Sequence, residues 1–177
     1  MPEAWLRGPI AGVPPLLQPV AHALVQVREE LHVATRDVPD AVLWARPYGV
    51  ASIGFHLQHL SGVLDRLFAY ARGDALSDGQ LSALRSEGHD PSGELTVHSL
   101  VASFDAQVER ALGQLRETAD AALLDARGVG RAQLPSTVLG LLFHAAEHTT
   151  RHFGQLLVTV KAVTSAPSPD ARSATEA

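Results

Sequence analysis

Three histidines, His144, His148 and His152, follow one another at four-residue intervals near the end of the chain. On a helix that turns about 100° per residue they form one slowly drifting stripe of imidazoles. A histidine pair one helical turn apart can chelate a single metal ion. A second focus, His56 and His59, lies three residues apart on an earlier apolar segment, again on one side of a helix. A lone histidine on an apolar helix is most often a satisfied core residue. Five imidazoles on two facing stripes are harder to bury, because every ring nitrogen needs a partner. A metal ion satisfies several at once. A pair from one helix and one histidine from its neighbour would leave open coordination positions, the mark of catalytic rather than structural zinc.

The elements that must carry these residues can be read from apolar spacing. A first helix is expected over 15–36, with Leu16, Leu17, Val20, Leu24, Val27 and Leu31 facing inward. A second is expected from Ala51 or Ser52 to Arg72, with Ser52 as N-cap and Gly73 as stop. Its inner face holds Ile53, Phe55, His56, His59, Leu60, Val63, Leu67 and Tyr70. A third runs from Glu94 or Thr96 to Thr118, striped by Leu100, Val101, Phe104, Val108, Leu112 and Leu115. A fourth, the most apolar, begins at Ser136 or Thr137 and reaches Val163. Its Gly140 and Gly154 weaken a helix unless close packing or ligand access requires them.

The connections differ in kind. Residues 1–13 read as an extended N-terminal arm rich in proline and glycine, with Trp5 and Leu6 free to pack. Trp44, in the link before the second helix, reads as a cap on the core. Residues 73–93 form a long link with a short helix near Gln80–Ser86. A link of that length lets the flanking helices run parallel. Residues 119–135 read as a shaped loop, and 164–177 as a disordered tail. His22 and His32, ten residues apart, are too far from each other to share an ion, and with His89 and His98 they read as solvated or edge residues. The domain plan is therefore an arm (1–13), a helical bundle (14–163) and a tail (164–177), in an all-α class.

Composition narrows the chemistry. The chain has 177 residues, no cysteine and nine histidines. A thiolate zinc site, a disulfide and a Cys nucleophile are excluded. Any ion must be held by imidazole and carboxylate, which suits zinc, nickel, iron or manganese. The net charge of -5 and the lack of a basic run give nucleic-acid binding no electrostatic support. No apolar run is long enough to span a membrane, and no signal peptide is evident, so a cytoplasmic protein is expected. Self-association as a homodimer through an exposed helix face is compatible with the pattern.

The stretch Phe143 to Gln155, taken with Ser52 to Leu60, resembles the DinB/YfiT-like superfamily. The resemblance spans about residues 14–163. It implies a four-helix bundle, ordered up-down-down-up with a long crossover between helices two and three, and a three-histidine metal site. Carried over residue by residue, His59 followed by Leu60, then His148 and His152, are the implied ligands. His56 and His144 are left to line the pocket or to steady a ligand from behind, and Arg66 to hold an anionic group in the same cleft. Glu147 reads as outward-facing or as a partner for an imidazole N–H. Phe153 stands where the family usually has Arg, which removes a cation beside the site. The implied activity is broad: a divalent ion activating a low-molecular-weight thiol cosubstrate or water, in a thiol transferase or hydrolase acting on a small molecule. The alternative is a metal- or ligand-binding stress-response module without turnover.

Overall fold

The computed structural model describes residues 1–165 and is mostly helical. Its elements are α1 (Gln18–Thr35), α2 (Ile53–Arg72), α3 (Asp78–Ser86), α4 (Val97–Glu117), β1 (Ala126–Val129), β2 (Leu134–Thr137) and α5 (Val138–Thr164). The four long helices are those expected from apolar spacing. Each of α1 and α2 packs against both α4 and α5. The core between them is filled by Leu17, Leu24, Leu31, Leu57, Leu60, Leu64, Phe68, Phe104, Leu115 and Leu142, all essentially without solvent contact. Burying such side chains contributes roughly 1.5–3 kcal/mol each.

Local chemistry sets the ends of the helices. The Ser52 hydroxyl accepts from the Phe55 N–H at 3.1 Å and caps α2. Gly73 closes it in the left-handed region, φ 89°, with its N–H turned back to Ala69 and Tyr70. Reciprocal capping boxes start α3 (Ser77, Gln80) and α4 (Thr96, Ser99). The Thr137 hydroxyl accepts from Gly140 N–H to start α5. Trp44 packs on the core across Gly54, where a Cβ would stand 2.4 Å from the indole.

Several expectations change. The chain is not purely helical: β1 and β2 form an antiparallel hairpin, Ala126 opposite Thr137 and Val129 opposite Leu134, which starts in the expected loop and takes in Ser136 and Thr137, so α5 begins at Val138. Strands of four residues carrying Gly128 and Pro135 show no alternating pattern, so periodicity could not reveal them. The N-terminal segment holds one 3-10 turn, Ala4–Arg7, against α1. Ala4 and Val13 are buried there, and Arg7 pairs with Glu29 at 2.8 Å. Trp5, Leu6 and Leu16 are exposed. No described residue stands within 4 Å of a Cβ at Gly154, so close packing among them does not explain it. The tail expectation falls, for 166–177, outside the described residues.

Candidate metal centre

α2 and α5 pack along each other and bring the two histidine foci together. His59, from the second turn of α2, faces His148 and His152, one turn apart on α5. His59 Nε2 lies 2.9 Å from His148 Nε2. The His152 ring centre is 4.2 Å from that of His59 and 4.5 Å from that of His148. One ring nitrogen from each of the three falls within 4.8 Å of the others. All three rings are partly buried.

The His59 ring is held from both sides. Phe55 stacks on it, nearly parallel, with centres 5.3 Å apart. Its Nδ1 donates to Glu87 Oε2 at 2.7 Å. The other oxygen of that carboxylate accepts from Arg66 Nη1 at 2.7 Å. Glu87 lies just beyond α3, and Gln58 ties the segment after it to α2. Gln58 Oε1 accepts from Gly88 N–H at 2.7 Å, and its amide donates to the His89 carbonyl at 2.9 Å. Gly62 makes room for the assembly: a Cβ there would stand 2.6 Å from both Arg66 Nη1 and Glu87 Oε1. Burial alone would raise the Glu87 carboxyl. The hydrogen bonds from His59 and Arg66, with the Arg66 charge, outweigh burial and hold it below the ordinary carboxylate range.

The tautomers follow from these bonds. With Nδ1–H committed to Glu87, neutral His59 presents its Nε2 lone pair to the cluster. Arg151 Nη2 donates to His148 Nδ1 at 3.1 Å, so neutral His148 carries its proton on Nε2 and donates it to His59. Burial, then repulsion by His152 and His59, pushes His148 down to about 4. Burial, followed by the His59 and Arg151 charges, also lowers His152. Both rings are therefore neutral near pH 7, the state in which imidazole binds a metal. His152 Nδ1 is buried and has no hydrogen-bond partner among the described residues. Three imidazole nitrogens with a carboxylate behind one of them fit a borderline divalent ion.

The remaining site expectations separate. His56 is 3% exposed, its ring 5.7 Å from His152, and its Nδ1 has no partner among the described residues. Burial, then His152 and His59, lowers it to about 4, and it lies beside the cluster rather than in it. His144 is half exposed and its Nδ1 is 3.3 Å from Glu147. Arg66 is not free to hold an external anion. It is buried against Glu87, while its neighbour Asp65 pairs with Gln80. Phe153 points into the core, and the cation beside the cluster comes from Arg151. Glu87 carries no ligand spacing in the sequence, because it sits in a polar link just after α3. The one sequence trace of it is Gly62, a helix-weakening residue in mid-α2.

A family model described as the DinB superfamily matches residues 23–156. A crystal structure of a protein from Streptococcus pneumoniae is similar in fold, with a TM-score of 0.60 and 13% identity over 82% of this chain and 88% of that one. No curated protein matches the chain.

Proposed function

The chain belongs to the DinB superfamily, and from that premise we propose that it is a metal-dependent enzyme in which His59, His148 and His152 hold one divalent ion, zinc or nickel. The observation carrying this reading is the contact of His59 Nε2 with His148 Nε2, next to His152, while His59 Nδ1 is already committed to Glu87. When bound, such an ion supplies Lewis-acid chemistry that lowers the pKa of a thiol or water at its open positions. Glu87 keeps His59 in the binding tautomer, and Arg66 balances the carboxylate charge.

Of the two activities, thiol transfer is favoured over hydrolysis. A water nucleophile calls for a base, and both carboxylates near the cluster are engaged: Glu87 with His59 and Arg66, Glu147 with Arg151 and His144. A thiol can be activated by the ion alone. A low-molecular-weight thiol is a cytoplasmic reagent, which favours that compartment and a small-molecule substrate. The long connection between α2 and α4 supports the up-down-down-up helix order.

The test is metal analysis of protein purified without a nickel resin. The parent should carry about one equivalent of a divalent metal, and His148→Ala and His152→Ala should lose it. Variants that keep the same bound metal would show that the ion sits elsewhere. Melting after chelation separates enzyme from structural module: an intact metal-free fold favours an open catalytic site, and loss of all cooperative unfolding favours a structural ion.

A further inference from the structure

Arg151 has two partners on its own helix. Its Nη2 donates to His148 Nδ1 at 3.1 Å and to Glu147 Oε2 at 3.0 Å. The first of these bonds conflicts with ligation. If His148 presents a lone pair on Nε2 to an ion, its proton sits on Nδ1, which then becomes a donor. Two donors cannot share that bond, and the guanidinium must leave the ring. The proton only moves from one ring nitrogen to the other, so no net charge is released. The acceptor such an N–H would take is the adjacent Glu147 carboxylate, an oxygen of which lies within 4.8 Å of one ring nitrogen of His148.

We propose that Arg151 is the anion-recognition residue of this site, released from His148 when the ion loads, and that the ligand it takes is a monoanion, a carboxylate carried by the molecule bound at the ion. The proposal rests on the metal-centre reading above. The guanidinium is half exposed and stands one imidazole width from the three-nitrogen cluster. Arg151 also lines an open cavity of about 480 Å³ between α1 and α5, shared with Val20, Ala23, Phe143 and Ala146. It is therefore reachable from outside while touching a ligand histidine. A guanidinium forms paired hydrogen bonds with a carboxylate. The neighbouring Glu147 carboxylate repels any anion, and repels a doubly charged phosphate about twice as strongly as a monoanion. Arg66, the other arginine at the cluster, is buried against Glu87 and cannot serve.

The experiment uses the full-length protein loaded with cobalt(II), whose visible spectrum reports a thiol entering the coordination sphere. The probes are mercaptoacetate and 2-mercaptoethanol, alike in size and different in charge. The parent should bind mercaptoacetate about tenfold more tightly, a gap of about 1.4 kcal/mol. Arg151→Met should lose the gap and bind zinc severalfold more tightly than the parent, because no hydrogen bond to His148 remains to be broken. Arg151→Lys should keep part of the gap. Equal affinities for the two thiols in the parent, or a gap that survives in Arg151→Met, would overturn the proposal while leaving the metal centre standing. Failure to take up cobalt or zinc would instead overturn the metal-centre reading on which it rests.

Discussion

Glu87 Oε2 accepts from His59 Nδ1 at 2.7 Å across 28 residues of sequence. The bond joins the segment beyond α3 to the one histidine of the cluster that does not lie on α5. It settles which nitrogen of His59 is free, and Arg66 keeps the carboxylate ionised.

Removing this carboxylate should weaken metal binding without removing a ligand. Glu87→Gln keeps an acceptor for His59 and loses the charge. Zinc affinity, measured by competition with a chelating dye, should fall roughly 10- to 100-fold. Glu87→Ala should also leave Arg66 as an unpaired buried cation, lowering urea stability by about 3–5 kcal/mol. Unchanged zinc affinity in both variants would remove Glu87 from the site.

Gly62→Ala sets two effects against each other. Alanine favours the helix by about 1 kcal/mol. Its Cβ would stand 2.6 Å from Arg66 Nη1 and Glu87 Oε1. The expected outcome is no net stabilisation, together with a loss of zinc affinity similar in direction to Glu87→Gln. A variant that is more stable and binds zinc as the parent does would show that the pair moves aside freely.

Gly154→Ala is the control on the other helix. Nothing among the described residues stands within 4 Å of the added methyl, so the propensity gain should appear in full. Thermal and urea unfolding should show about 1 kcal/mol of stabilisation, with zinc affinity retained.

The metal-free protein should lose stability as pH falls from about 6.5 to about 4. His56 and His148 both stand at about 4 in the fold, against 6.5 unperturbed. Between those values the unfolded chain binds more protons than the folded one. Unfolding free energy therefore rises with pH through this window and levels off above it. Urea midpoints of chelated protein across the window are the measurement. His56→Phe should flatten the slope, and a midpoint independent of pH would contradict the burial of these rings.

Much of this protein is legible in its order of residues. The 3- and 4-residue recurrence of Leu, Val and Phe marks α1, α2, α4 and α5, because a helix must bury one stripe whatever it packs against. Ser52 and Gly73 bound α2 through hydrogen bonds made within a few residues. The i, i+4 spacing of His148 and His152 puts both on one face before any neighbour is known. Other decisions belong to the tertiary structure alone. The packing of α2 on α5 set His59 against the pair, and left His56 beside the cluster and His144 at its edge. The cation at the site is Arg151 and not residue 153, because the packing of α5 turns Phe153 into the core. Glu87 reaches His59 only because α3 and Gln58 bring its segment back onto α2, over a glycine that leaves it room. Periodicity reports the face a residue takes on its own helix. It carries no record of a partner 28 residues away, whose placement depends on how the link folds back.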